Sequence, residues 1–416
     1  MQGTQPLITN DAVILGLLAA TLGAIFWSTQ SEQPLFRKFY RYVPALLLCY
    51  FIPSLYNTFG LIDAEQSRLY FVTSRYLLPA TLVLLTLSID FPAIIRLGPK
   101  ALIMFFTGTV GIVLGGPLAI LVMSWISPDT VGGQGPDAVW RGLTTVAGSW
   151  IGGGANQAAM KEVFEVSDEV FSAMVAVDVL IANVWMAVLL YLAGESERID
   201  ARTGADTTAL QELRRRVEEF QKKHARIPSL ADVMIIVGVG LGVMSLSHLI
   251  ADFLAPWIER SAPGLSRLSL TSQFFWLVVV ATTAGLLLSL TPARRLEGAG
   301  ASRVGSAFLY FLIATIGMGM DITAVAERPG LFAVGGIWMA IHAALLLVVA
   351  KVIKAPVFYM AVGSQANVGG AASAPVVASA FHPTLAPVGV LLAVLGYALG
   401  TYGAWVCGQL MRAVAP

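Results

Sequence analysis

Charge is scarce in this chain: only 12% of its 416 residues are Asp, Glu, Lys or Arg, about half the share of a soluble globular protein. Set against 56% hydrophobic residues and a mean hydropathy of +0.75, that shortage excludes a soluble enzyme of ordinary surface and a disordered chain. Cysteine is almost missing. Cys49 and Cys407 lie far apart in apolar stretches, which excludes a disulfide scaffold and any metal or redox spacing. Positive charge is not in excess (26 Lys and Arg against 25 Asp and Glu), so no nucleic-acid partner is expected. Lipidation motifs and Asn-x-Ser/Thr sequons are absent. So are the G-x-x-x-x-G-K-[ST] loop, G-x-S-x-G and H-E-x-x-H, which argues against ATP hydrolysis and two common hydrolase templates. The expectation is a protein that is not an enzyme and uses no organic cofactor.

What the chain has in plenty is long apolar runs. A membrane span needs about 20 apolar residues, and runs of that kind lie near 11–28, 42–62, 70–89, 101–125, 169–193, 231–254, 273–292, 303–320, 331–353 and 384–410. Two further apolar stretches, about 139–164 and 355–380, are too rich in glycine and polar residues for plain helices. They contain AGSWIGGGANQAAM (147–160) and VGSQANVGGAASAP (362–375). The pattern predicts an all-α polytopic membrane protein in the lipid bilayer.

Charge sets the topology. No basic residue precedes the first run, whereas Arg37, Lys38 and Arg41 follow it, so the positive-inside rule puts the N-terminus outside. The polar segment 195–230 carries eight Lys and Arg and belongs in the cytoplasm. Four crossings bring the chain back outside near residue 126. The basic segment then reaches the cytoplasm only if 139–164 dips in and returns, as a re-entrant hairpin, before 169–193 crosses. Two broken helices that cross fully are the alternative. By the same count the second glycine-rich stretch enters from the cytoplasm, beside Lys351 and Lys354. A multi-pass protein of the cell inner membrane is expected. Leu210, Leu213, Val217 and Phe220 form an apolar stripe that predicts an amphipathic interfacial helix over about 207–224.

The halves also match each other. LTLSIDFPAIIRLGPKALIMF (85–105) aligns with ATIGMGMDITAVAERPGLFAV (314–334), each with an Asp (Asp90, Asp321) at a span end, and Ala155-Asn156 matches Ala366-Asn367. The expectation is two inverted-topology repeats, 1–194 and 231–416, each of about five spans plus one glycine-rich hairpin or broken helix. A cytoplasmic linker, 195–230, joins them. Such repeats are the architecture of secondary transporters.

Irregular backbone is tolerated at membrane depth only inside protein or beside water. There, freed N–H groups at half-helix N-termini suit an anion, and freed carbonyls suit a cation. Gly152, Gly153, Gly154, Gly369 and Gly370 are therefore candidate site positions, and Ser149, Asn156, Gln157, Ser364, Gln365, Asn367 and Ser373 supply side-chain partners. Asp178 stands well inside its span, where a charge by default marks an ion or proton path. Asn183, five positions on, lies about 140° round the helix and is a second candidate for the coupling ion. Asp90 and Asp321, at span ends, are secondary candidates. His248 and His342 read as structural, and His382, after the second hairpin, is better placed for a role.

GSWIGGGAN followed by an Asp-bearing span, with GSQANVGGA near the end, resembles the YjcL-like family of uncharacterised membrane proteins. That family is similar to the superfamily of sodium/proton antiporters, bile-acid sodium symporters, and citrate and glutamate sodium symporters. In the citrate and glutamate symporters, glycine-rich vertices of two oppositely oriented hairpins line the substrate and sodium sites. The resemblance thus implicates Gly152–Gly154 with Asn156, and Gly369-Gly370 with Asn367, as sites for solute and Na⁺, in a homodimer. The expected function is secondary active transport of a small anionic or polar solute, coupled to Na⁺ or H⁺. Alternatives are a channel or export component without ion coupling, and an intramembrane enzyme using Asp178.

Overall fold

In a computed structural model of the chain, residues 6–40, 43, 45–64, 66–205, 228–268, 270–319, 328–382 and 385–416 are described. All regular elements among them are helices: α1 (Asp11–Thr29), α2 (Ala45–Thr58), α3 (Leu69–Leu87), α4 (Pro99–Ile126), α5 (Val139–Val163), α6 (Asp168–Gly194), α7 (Leu230–Ser261), α8 (Gln273–Ser289), α9 (Ala301–Gly319), α10 (Gly330–Val352), α11 (Val357–Val368), α12 (Gly370–Phe381) and α13 (Ala386–Val414). Shorter helices, among them Pro34–Tyr40 and Ser196–Thr203, lie between some of them. Eight of the helices (α1, α3, α4, α6, α7, α9, α10 and a 27-residue part of α13) are long and apolar enough to cross a membrane. The expected polytopic, all-α membrane protein is what the chain builds.

Two expected spans come out shorter. α2 has 14 residues, about 21 Å at 1.5 Å per residue, where a span over 42–62 was expected. It holds Pro53, which removes one helical hydrogen bond, and its chain leaves the helix at Thr58 for a turn around Gly60 (φ +67°). α8 stops at Ser289, and the segment Pro292–Ala299 turns off at 95°. The proposed amphipathic helix over 207–224 and the candidate Asp321 lie outside the described residues.

The helices have two common ends. At the first, Ser67 Oγ donates to Asp11 (2.7 Å), Ser167 N donates to Pro136 O (3.1 Å) and Arg328 pairs with Glu169 (2.6 Å). At the second, Arg294 pairs with Asp90 (2.8 Å), Lys100 Nζ donates to Lys354 O (3.1 Å) and Val357 N donates to Asp200 (2.9 Å). Arg37, Lys38, Arg96, Arg295 and Lys351 also belong to this second end.

Both glycine-rich stretches are helical hairpins. Within α5 the backbone is broken at Gly153 (φ +74°, ψ −175°), a conformation that costs glycine little and other residues much. The halves fold back on each other: a Cβ on Gly148 would lie 2.6 Å from Asn156 O, although eight residues of unbroken helix would separate them by about 12 Å. The α5 hairpin leaves the first end and returns to it, with Ser167 bonded to Pro136. α11 and α12 form the counterpart. Their break is at Gly369-Gly370 (Gly370 φ +57°), and Phe358 and Phe381 close the base at the second end with ring centroids 5.3 Å apart. The turns of the two hairpins meet, since a Cβ on Gly370 would sit 4.0 Å from Gly153 Cα.

α5 packs most extensively against α13, and α11 and α12 against α4, α13 and α6, with α4 and α10 lying side by side. α1, α2, α3, α7, α8 and α9 form a second group, joined by the pairs α2–α9, α3–α9, α3–α8 and α7–α8. α13 passes close to the α5 hairpin because glycines face it. A Cβ on Gly400 would fall 2.6 Å from Gly152 Cα and 2.5 Å from Asn156 Nδ2, and one on Gly396 would fall 2.7 Å from Ile151 O. Gly400→Ala therefore overpacks a backbone contact and should cost about 1–3 kcal/mol. Gly238→Ala, where nothing lies within 4 Å, should be neutral or stabilising. Unfolding midpoints of the two purified variants, compared with the parent, check the contrast.

Candidate functional site

The hairpin turns are packed around buried polar groups from four helices. Asp178, 4% exposed on α6, accepts from Trp150 Nε1 (2.7 Å) and Gln157 Nε2 (2.9 Å), and it is also hydrogen-bonded to Ser149. An indole N–H and an amide N–H can only donate, so the carboxyl is held as an acceptor. No ion pair reaches it among the described residues. A buried carboxylate with donors but no cation has a standing affinity for a cation or a proton. Tyr50 OH donates to Gln157 Oε1 (3.3 Å) and ties α2 into the same cluster.

The α11–α12 hairpin carries its own group. Trp185 Nε1 (α6) donates to Ser364 Oγ at 2.8 Å, and His342 Nε2 (α10) lies 2.8 Å from the same oxygen. His342 Nδ1 is 3.1 Å from Gly108 O, so Nδ1 carries the proton and Nε2 accepts from Ser364. Across the break, Gln365 Nε2 donates to Ser373 Oγ (2.6 Å), while Gln365 Oε1 is buried with no partner among the described residues. An orphaned buried acceptor beside a glycine break carries a desolvation penalty of about 1–3 kcal/mol unless something is bound there.

Asn156 and Asn367 turn out to be held alike. Asn156 Nδ2 donates to Gly152 O (2.8 Å) and Tyr397 O (3.2 Å), and its Oδ1 accepts from Thr401 (2.7 Å) on α13. Asn367 Nδ2 donates to Gly363 O (2.9 Å) and Phe105 O (3.0 Å), and its Oδ1 accepts from Thr109 (2.8 Å) on α4. Each amide thus bonds the carbonyl four residues before it and clamps its hairpin to a neighbour. Their donors are spent on backbone rather than turned toward a ligand.

Of the residues singled out by sequence, the structure brings together Ser149, Gln157 and Asp178 around one hairpin, and Ser364, Gln365 and Ser373 around the other. Asn183 stands apart from that pairing: its Nδ2 donates to Val179 O (2.7 Å) in its own helix. Asp90 lies at the second end, where it caps Phe91–Arg96 through Ala93 N (3.0 Å) and pairs with Arg294. Sequence reasoning missed Trp150, Trp185, Thr109, Thr401 and Tyr50, and it read His342 only as structural. The small-residue repeat Gly396, Gly400, Ala404, Gly408 on α13 was a legible sign of close helix approach.

It also missed a charged cluster at the first end. Lys161, at the base of the α5 hairpin and 7% exposed, pairs with Asp168 (2.8 Å) and donates to Tyr70 OH (3.1 Å). Glu162 beside it accepts from Tyr70 and pairs with Arg75 (3.0 Å), whose guanidinium lies over Phe274. A cavity of about 290 Å³ opens here between the hairpin base, α3 and α9, lined in part by Asn57, Lys161 and Thr315. The pair is asymmetric, because Asp168 is 58% exposed and Lys161 is buried. Removing Asp168 leaves a buried ammonium with one phenol, whereas removing Lys161 returns a carboxylate to water. Asp168→Ala should accordingly destabilise more than Lys161→Met, by about 1 kcal/mol or more, in paired unfolding measurements.

Comparison with known proteins agrees with this membrane architecture. Residues 16–414 match the family described as "Protein of unknown function (DUF819)". The chain is 24% identical over 367 residues to the "Uncharacterized membrane protein YjcL" of Bacillus subtilis (strain 168), covering 83% of this chain and 84% of that one. A match over almost the full length, on a bundle of long apolar helices, shows that the chain belongs to the DUF819 family of membrane proteins.

Proposed function

We propose that this protein is a secondary active transporter, moving a small polar or anionic solute across the cytoplasmic membrane by alternating access with Na⁺ or H⁺ as coupling ion. One observation carries the reading: two hairpins based at opposite ends meet at glycine breaks, Gly153 and Gly370, beside the buried carboxylate of Asp178. Discontinuous helices that meet between the two ends, with polar groups gathered at the breaks, are the device by which transporters hold solute and ion. Similarity to the sodium-symporter superfamily supports the same reading, and so does the parallel clamping of Asn156 and Asn367.

In this account the hairpins are re-entrant and belong to two inverted repeats. The basic second end is cytoplasmic, as the positive-inside rule requires. The body that moves is the α5 and α11–α12 hairpins with α4, α6, α10 and α13. The group α1–α3 with α7–α9 is the scaffold, through which a homodimer would form. Asp178 carries the coupling charge, held ready by Ser149, Trp150 and Gln157. Gln365, whose Oε1 has no partner among the described residues, and Ser373 face solute or ion at the other break.

Thermal unfolding of the purified protein in sodium chloride against choline chloride, at several pH values, tests the coupling role. A ligand at about 100 times its dissociation constant adds roughly 2.7 kcal/mol. Stabilisation by sodium, or by protons, that disappears in Asp178→Asn is the expected outcome. A wild-type protein indifferent to both, or a response that Asp178→Asn preserves, would overturn it.

A further inference from the structure

A second pocket is lined by none of the residues at the hairpin turns. Between α1 and α9 runs a groove of about 500 Å³. Leu22 and Phe26 form one wall, and Tyr310 and Phe311 the other, with Phe26 and Tyr310 in edge-to-face contact at 4.6 Å. Gly23 and Ala307 keep it open: both are exposed, and a Cβ on Gly23 would meet nothing within 4 Å. At its mouth, in the first turn of α9 at the basic second end, stands Arg303, exposed and without an ion pair within 4.0 Å among the described residues. The nearby carboxylate, Glu297, is engaged by Ser302 through its N–H (2.9 Å) and its hydroxyl (2.7 Å). Burial pushes the Glu297 carboxyl up, against the pull of its Ser302 hydrogen bonds and of Arg303.

We infer that this groove is a binding site for one anionic phospholipid, its phosphate on Arg303 and an acyl chain between α1 and α9. The inference does not rest on transport. The groove opens onto two membrane-spanning helices, so its apolar length faces acyl chains rather than water. Its single charged end is positive and lies on the basic side of the protein, where anionic headgroups gather against Lys and Arg. A guanidinium is the side chain best matched to a phosphate, which it grips with two parallel N–H donors. α9 also lays Leu309 and Ile313 within about 4 Å of a Cβ placed on Gly154, so a lipid seated on this helix braces the element that covers the α5 turn.

The test uses the full-length protein, stripped of lipid in a nonionic detergent. Unfolding midpoints and native mass spectra are recorded with dioleoylphosphatidylglycerol, with dioleoylphosphatidylcholine, and with glycerol phosphate alone. Phosphatidylglycerol should raise the midpoint and appear as a one-to-one adduct, phosphatidylcholine should do so less, and glycerol phosphate should do nothing. Arg303→Gln, at an exposed position that leaves packing intact, should weaken phosphatidylglycerol binding about fivefold. Ala307→Trp, which fills the groove, should abolish the adduct, and Lys351→Gln, at the same end but off the groove, should leave it unchanged. Equal binding of the two lipids, an effect of glycerol phosphate matching that of the lipid, or an adduct that survives both Arg303→Gln and Ala307→Trp would each overturn the proposal.

Discussion

Everything in this molecule depends on one constraint: backbone N–H and C=O groups away from water must find partners within the protein. A helix broken inside a membrane protein frees several of them at once. Here both breaks are enclosed, and Asn156 and Asn367 bond the carbonyls of Gly152 and Gly363 from within their own hairpins. Each asparagine is in turn held by a threonine from a neighbouring helix, Thr401 or Thr109. The close passage of α13 past the α5 hairpin needs glycine at 396 and 400, since a side chain at 400 would press on Asn156 and Gly152 and one at 396 on Ile151 O. The glycines, asparagines and threonines thus form one arrangement, in which glycines give room, asparagines bond backbone carbonyls and threonines hold the asparagines.

The charged groups divide by position. At the two ends they form ion pairs between distant segments, such as Arg75 with Glu162 and Arg294 with Asp90, which pin hairpin bases and loops to the bundle. Between the ends stands Asp178, surrounded by donors and without a pair among the described residues. In the proposed function those donors hold the Asp178 charge ready for an ion that binds and leaves.

Much of this was legible in the sequence. The parity of basic loops pointed to a returning chain at 139–164, and the α5 hairpin does return to the end from which it starts. Gly152–Gly154 and Gly369-Gly370 marked the breaks to within a residue, since only glycine adopts such backbone angles cheaply. What stayed hidden depends on contacts between residues far apart in the chain. Nothing local links Thr109 to Asn367 or Trp185 to Ser364, and Lys161 reads as an ordinary basic residue until Tyr70 and Asp168 are folded around it. α2 was overestimated because an apolar window does not register that Pro53 and a turn at Gly60 shorten the helix. Asp90, aligned with Asp321 by the repeat, serves as a helix cap and ion-pair partner, a role its place at a span end allowed.

The central claim is that the two hairpins enter from opposite faces and each returns to its own. Single cysteines at the exposed positions Gln134, Glu169, Lys351 and Ala380, labelled in sealed vesicles with a membrane-impermeant maleimide, test it directly, since the native Cys49 and Cys407 are buried and give little background. The account predicts that Gln134→Cys and Glu169→Cys, flanking the first hairpin, label from one face, and that Lys351→Cys and Ala380→Cys, beside the second, label from the other. Labelling of Gln134→Cys and Glu169→Cys from opposite faces would contradict it, because the first glycine-rich stretch would then cross the membrane completely.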